Sequence, residues 1–235
     1  MDKGKLFVCA TPIGNLEDIT LRAIRVLREV DLIAAEDTRK TVKILNKYNI
    51  KTRMISYNQI NEKVKTLNLI KRMIDGAKIA LVSSGGMPGL SDPGYLLVNE
   101  CINKNIPIDI VPGPSAGISA LVISGLPTNQ YIFFGFLPKR KSKRKKILKN
   151  VIYQDKTLVF FESPKRVEKL LNEILQILGD RKCVIARELT KIYQELMRGS
   201  VSELLEGLKG REIKGELVIL LDGYKQNAYN TNLII

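Results

Sequence analysis

The sequence predicts an α/β fold of two α/β domains, and three features point that way. Short apolar runs alternate with helical patterns from the start of the chain, a rhythm that suits strands crossing over to helices better than a bundle or a sandwich. Three Gly- and Pro-rich loops, at residues 11–15, 83–94 and 112–116, each follow an apolar run where a strand should end and a helix begin. Near the middle of the 235 residues, Ser124-Gly-Leu-Pro-Thr-Asn129 breaks the periodicity, and a fresh set of strand-like runs starts after it.

Residues 5–10 read as the first strand. Residues 20–29 follow as a helix, with Leu21, Ile24 and Leu27 recurring behind Asp18 and Thr20 as caps. A strand is expected at 31–35, then a helix at 61–75 with Val64, Leu67, Ile70, Met73 and Ile74 on one face and Gly76 as its stop. Residues 78–82 form a strand into the long glycine loop, and a helix follows the third loop through Val122. These elements place an N-terminal domain at residues 1–124. A C-terminal domain at 130–223 holds strands at 131–134, 157–161, 182–186 and 216–221. Between them Val167, Leu170, Leu171, Ile174, Leu175 and Leu178 form a helical core stripe. Residues 224–235 are polar and Asn-rich and read as a loosely ordered tail, with Leu233-Ile-Ile235 able to dock locally.

A hydrophobic content of 45% over this length supports a self-sufficient core. Lys and Arg number 38 against 24 Asp and Glu, and the formal net charge of +14 favours a polyanionic partner. A general lysine bias competes with that reading, but one cluster stands far above the background. Pro138-Lys-Arg-Lys-Ser-Lys-Arg-Lys-Lys146 carries seven cations in nine positions with no acid to compensate them. Helical or extended, the run should stay solvated. Lys139, Arg140, Lys141, Lys143, Arg144, Lys145 and Lys146 are its candidate nucleic-acid contacts, giving affinity through phosphates without reading sequence.

The chain contains no histidine. Ser-His-Asp and Cys-His catalysis, imidazole bases and the usual histidine-ligated zinc sites are therefore excluded, and no metal site is expected. A proton acceptor must be a carboxylate, Lys, Tyr or water. Cys9, Cys101 and Cys183 are widely spaced with no C-x-x-C pair, and read as small core residues in a reducing compartment. The N-terminus lacks a signal-like apolar region, and no run of about 18 apolar residues offers a membrane span. A cytoplasmic protein is expected. Gly and Pro at the ends of the strands expose backbone N–H and C=O groups, so the three loops read together as one small-molecule site able to grip a carboxylate or ribose.

The segments Thr11-Pro-Ile-Gly-Asn-Leu-Glu-Asp-Ile-Thr20, Ala35-Glu-Asp-Thr-Arg39, Ser91-Asp-Pro-Gly94, Pro112-Gly-Pro-Ser-Ala116, Gly135-Phe-Leu-Pro138, Phe161-Glu-Ser-Pro164, Ala186-Arg-Glu-Leu-Thr-Lys191 and Lys214-Gly-Glu216 together resemble one family. It is the ribosomal RNA small-subunit methyltransferase I family, a branch of the tetrapyrrole methylase superfamily. The resemblance implies two α/β domains with S-adenosylmethionine between them, a homodimer, and 2′-O-methylation of a cytidine ribose in the decoding region of small-subunit (16S) RNA. The substrate would be that RNA or the assembled small ribosomal subunit. Carried over by position, the cofactor contacts fall on Ile13, Gly86, Met87, Leu90, Ser115 and Ala116, with Ser163, Ala186 and Glu216 from the second domain. Two departures stand out: Ser84 replaces the family's usual aspartate, and Asn58 and Ile60 stand where histidines are common.

Without histidine, the base for such a transfer would come from Glu36, Asp37, Glu62, Asp92, Glu188 or Lys191, and Asp37 and Asp92 are placed nearest the reacting centre. Asp37 with Arg39 also suits a helix-start ion pair, and Glu188 with Lys191 a surface pair. Two rival readings stay open. One is a tetrapyrrole (precorrin-type) methyltransferase, against which the basic run and the Ala35-Glu-Asp-Thr-Arg39 motif count. The other is a non-catalytic ribosome-binding factor whose cofactor site has decayed around Ser84.

Overall fold

A computed structural model describes residues 4–225. The chain divides into two compact units at the Ala116–Gly117 bond. In the first, β1 (Lys5–Cys9), β2 (Leu32–Ala35), β3 (Met54–Ser56), β4 (Lys78–Val82) and β5 (Ile108–Val111) form a parallel sheet in the order β3-β2-β4-β1-β5. Helices α1 (Leu21–Glu29), α2 (Thr38–Lys47), α3 (Glu62–Ile74) and α4 (Tyr95–Asn103) alternate with these strands. A parallel sheet needs both faces covered. Accordingly, Cys9, Ile33, Ala35, Ala80 and Val82 pack on one face against Ala23, Leu27 and Ile44, while Leu6, Val8, Ala34, Ile79 and Leu81 pack on the other against Leu69, Met73 and Leu97.

Local chemistry sets the helices. Thr20 Oγ1 accepts the Ala23 N–H at 3.0 Å and opens α1. In α3 the buried face differs from the sequence expectation: Thr66, Leu69, Ile70 and Met73 are inside, while Val64 and Leu67 are 74% and 71% exposed. The fully buried Tyr57 explains the rotation, because its hydroxyl needs a partner and meets Thr66 Oγ1 at 2.9 Å.

In the second unit, β6 (Tyr131–Phe136), β7 (Thr157–Glu162), β8 (Lys182–Arg187), β9 (Glu195–Ser200) and β10 (Leu217–Leu221) form a mixed sheet in the order β6-β7-β10-β8-β9. Only β6 and β7 run parallel. Its helices are α5 (Ala116–Ser124), which begins at the division, α6 (Lys141–Lys149), α7 (Val167–Leu178) and α8 (Val201–Leu208). The break at Ser124–Asn129 is the link from α5 to β6. Val167, Leu170, Leu171, Ile174 and Leu178 of α7 bury against Phe160, Ile185 and Ile219. At the end of β9, Ser200 and Glu203 form a reciprocal capping box that starts α8.

Part of the expected tail is held. The Tyr224 N–H donates to Gln154 O at 2.6 Å, and its ring meets Tyr153 edge-on with the Arg181 guanidinium 5.5 Å from its centre. The remainder, residues 226–235 with Leu233-Ile-Ile235, lies outside the described residues. Cys9 and Cys101 belong to the two core clusters of the first unit and Cys183 to the core of the second. Burial pushes all three thiols up to about 12. Among the described residues, no helix is long and apolar enough to cross a membrane.

Candidate active site

The three glycine loops leave the carboxyl ends of adjacent strands β4, β1 and β5, the edge of an open parallel sheet where ligands bind. They meet at Gly86. Thr11 and Gly86 form an antiparallel bridge, N–H to O at 2.9 and 2.8 Å. Thr11 Oγ1 donates to Ser83 O, and Ser83 Oγ to Gly86 O, each at 3.2 Å. Gly86 has φ +88°, and a Cβ built on it would stand 3.5 Å from Ile13 Cγ2 and 3.6 Å from Pro114 O. Glycine is therefore required by conformation, and its missing side chain leaves a notch among all three loops. Ile13, Met87, Ser115 and Ala116 are half-buried around this cradle, and Leu90 is exposed beyond it.

A polar groove of about 480 Å³ opens at the same edge over β2 and β3. Glu36 and Asp37 line it from the end of β2, Ser56 and Asn58 from the end of β3, and Ser84 from the turn after β4. Glu36 Oε2 accepts the Ser84 N–H at 2.8 Å. Asp37 caps α2: its Oδ1 accepts the Arg39 N–H at 2.9 Å, and the Arg39 guanidinium donates to both carboxylate oxygens at 3.1 and 2.9 Å. The guanidinium holds this carboxyl at about 2. Asp37, with both carboxylate oxygens engaged by Arg39, is thus a poor proton acceptor. Asp92 is half-buried on the long loop, next to Ser91 at φ +67°, and lies outside the groove lining.

Asn58 serves the fold. Its Oδ1 accepts the N–H groups of Ile60 and Asn61 at 3.1 and 3.2 Å, and its Nδ2 donates to Ser56 Oγ at 3.1 Å. This side-chain turn leads the chain into α3. Ile60 points away from any core, at 96% exposed.

In the second unit, the end of β7, the end of β8 and the start of β10 share one edge, since Leu217 pairs with both Glu162 and Arg187. Ser163 and Glu216 sit there, whereas Ala186 is fully buried in the sheet between Val218 and Leu196. Glu188 Oε1 accepts the Glu216 N–H and the Lys191 ammonium, each at 2.8 Å, and Lys191 also reaches Glu216 at 3.0 Å. Burial opposes both charges, yet these contacts outweigh it, holding the Glu188 carboxyl below and the Lys191 ammonium above their ordinary values. Lys191 is a fixed cation and no proton acceptor.

The basic run forms the start of α6, and here the structure corrects the sequence reading. Arg144 is withdrawn from solvent: its side chain is 3% exposed, and Nε and Nη2 donate to Glu173 of α7 at 2.5 and 2.7 Å. Its Nη1 donates to the Pro138 and Lys139 carbonyls at 3.0 Å. The cause is helical spacing, which turns Arg144 inward beside Leu148 while Lys139, Arg140, Lys141, Lys143 and Lys146 stay exposed and Lys145 half-buried. The available signal was Glu173, a lone acid on the apolar face of α7.

A parallel β3-β2-β4-β1-β5 sheet carrying a glycine-loop cradle, followed by a mixed-sheet unit, is a two-unit α/β architecture that the chain shares with known methylases. The family model for Tetrapyrrole (Corrin/Porphyrin) Methylases matches residues 5–205. Cobalt precorrin-4 methyltransferase is similar in fold, with TM-score 0.69 at 17% identity over 93% of this chain and 94% of that one. Uroporphyrin-III C-methyltransferase from Thermus thermophilus, complexed with S-adenyl homocysteine, gives 0.67 at 18% identity over 92% and 97%. Far greater identity is found elsewhere. Ribosomal RNA small subunit methyltransferase I of Thermotoga maritima is 50% identical over 220 residues, 94% of this chain and 99% of that protein. Its namesake in Halalkalibacterium halodurans is 47% identical over 222 residues, 94% and 77% of the two. The chain belongs to the ribosomal RNA small subunit methyltransferase I family within the tetrapyrrole methylases.

Proposed function

We propose that this protein transfers a methyl group from S-adenosylmethionine to the ribose 2′-hydroxyl of a cytidine in the decoding region of small-subunit (16S) ribosomal RNA. The observation that carries this reading is 50% identity to a ribosomal RNA small subunit methyltransferase over 99% of its length. The cradle is chemically suited to the cofactor. Residues 11–15, 83–90 and 112–116 include no charged side chain, and the absent side chain at Gly86 lets a ligand approach the main chain of all three loops closely. When bound, the cofactor supplies a methyl carbon made electrophilic by a sulfonium. Ile13, Gly86, Met87, Leu90, Ser115 and Ala116 are the proposed cofactor residues here. The roles of Ser163, Ala186 and Glu216 rest on family resemblance alone.

The groove takes the acceptor ribonucleoside, with the turn from Ser83 to Gly86 as a wall common to both pockets. The main task of the site is to hold the 2′-oxygen about 3–3.5 Å from the methyl carbon. Lys139, Arg140, Lys141, Lys143, Lys145 and Lys146 contact RNA phosphates on either free RNA or the assembled subunit. We further propose a cytoplasmic homodimer. The test is transfer of labelled methyl to unmodified small subunits and to naked RNA, with the product nucleoside identified by mass spectrometry. The expected product is 2′-O-methylcytidine; absence of both transfer and cofactor binding would favour a non-catalytic ribosome-binding factor.

Two variants probe the cofactor site. Gly86→Ala forces a side chain into a left-handed backbone and fills the notch, so calorimetry should show about tenfold weaker S-adenosylmethionine binding, roughly 1–2 kcal/mol. Ser84→Asp tests decay of the site. Thr11, Ser83 and Gly86 already brace this turn, and Glu36 already supplies a carboxylate to residue 84. Cofactor affinity should therefore change by less than about threefold, or about 0.7 kcal/mol, whereas a large gain would support the decayed-site reading.

A further inference from the structure

We infer that Glu36 is the residue that takes the proton from the acceptor hydroxyl, an assignment that rests on the methyl-transfer reading above. Glu36 is fixed by the sheet, since its N–H donates to Val82 O at 3.1 Å and closes the last β2–β4 pair, Ala35 with Val82. Its Oε2 is anchored on the Ser84 N–H at 2.8 Å, in the turn that reaches the cradle at Gly86 two residues later. Among the described residues, Oε1 has no hydrogen-bond partner and the carboxylate has no ion-pair partner. It lines the groove, half-buried.

The competing groups are otherwise engaged. Asp37 is clamped by Arg39, Lys191 is held as a cation, and Glu188 is tied to Lys191 and the Glu216 N–H. Glu36 alone combines a groove position, a rigid backbone, one anchored oxygen and one oxygen open to a ligand. With the ribose in the groove, Oε1 accepts the proton of the 2′-hydroxyl as the hydroxyl oxygen forms its new bond to the methyl carbon. The electron pair of the broken sulfur–carbon bond stays on sulfur, leaving a neutral thioether, and the proton then passes from Glu36 to water. Asp37 and Arg39 are the other charged groups lining the groove; Ser56, Asn58 and Ser84 do not titrate in this range.

Glu36→Gln tests the assignment, because the amide retains a carbonyl oxygen for the Ser84 N–H but cannot hold the proton. The full-length chain would be assayed with labelled S-adenosylmethionine and unmodified small subunits, measuring kcat, KM, cofactor Kd and the pH–rate profile. The expected result is a fall in kcat of about 100-fold or more, with Kd and KM within about threefold and the acid limb of the profile lost. Glu36→Asp should restore that limb with partial activity, and Asp37→Asn, which keeps a good helix cap, should lower kcat by less than about tenfold. Glu36→Gln within about threefold of wild-type kcat would overturn the assignment. So would a loss of cofactor binding in step with kcat, which would reduce Glu36 to a brace for the Ser84 turn. If the wild-type chain makes no 2′-O-methylcytidine, the methyl-transfer reading and the assignment fall together; product formed by wild type and Glu36→Gln at rates within about threefold removes the assignment alone.

Discussion

Glu173→Gln is expected to destabilise the second unit by about 3–5 kcal/mol, the usual consequence of leaving one partner of a buried ion pair without its counter-charge. The wild-type side chains are 3% and 5% exposed and joined by two hydrogen bonds of 2.5 and 2.7 Å, so the variant strands the Arg144 guanidinium in the core. Arg144→Met combined with Glu173→Leu should recover most of the loss, because an apolar pair of similar volume needs no such compensation. The pH dependence has a definite sign. Arg144 holds the Glu173 carboxyl below its ordinary value of 4.5. The resulting stability is complete above the unfolded-state value and is lost as pH falls through the lower folded-state value. Urea unfolding followed by circular dichroism should show that acid sensitivity in the wild type and its reduction in Glu173→Gln. A difference below about 1 kcal/mol would mean that the pair is solvated.

Replacing Lys139, Arg140 and Lys141 together by glutamine should weaken binding to small ribosomal subunits by about two orders of magnitude in 0.1 M salt. Each lost phosphate contact removes about 0.7–0.9 from the slope of log affinity against log salt, so that slope should flatten by roughly 2–3. These three side chains are exposed and Arg144 already neutralises Glu173 inside, so the substitution leaves the core charge balance intact. Cofactor affinity should not move. An unchanged salt slope would remove the run from the RNA-binding surface.

Much of the first unit is readable from sequence because buried parallel strands are written as continuous apolar runs, as at 32–35 and 78–82. The cap at Thr20 is equally direct. Other features depend on contacts that are distant in sequence. Of the seven clustered cations in the basic run, helical spacing turns Arg144 inward, and its partner there, Glu173, lies 29 residues away on another helix. The face of α3 follows a hydroxyl pair between Tyr57 and Thr66, which a count of apolar residues passes over. β9 escapes because Glu195, Met197 and Arg198 in a half-buried strand give no clean alternation. At the site, the glycine loops announce the cradle, but Glu36 and Asp37 are neighbouring carboxylates with the same composition signal. Only the engagement of Asp37 by Arg39, and of Glu36 by Ser84, separates their chemistry.

The buried thiols give the chain a built-in clock for its own opening. Sulfhydryls pushed up to about 12 carry almost no thiolate at neutral pH and resist alkylation while enclosed. Cys9 and Cys101 are locked into opposite faces of the first sheet, and Cys183 into the other unit. Alkylation followed by peptide mass analysis therefore times the exposure of each unit separately in one unmodified sample. In Glu173→Gln the Cys183 trace should accelerate while those of Cys9 and Cys101 keep wild-type rates, so a single tube reports whether the two halves of the chain unfold independently or as one.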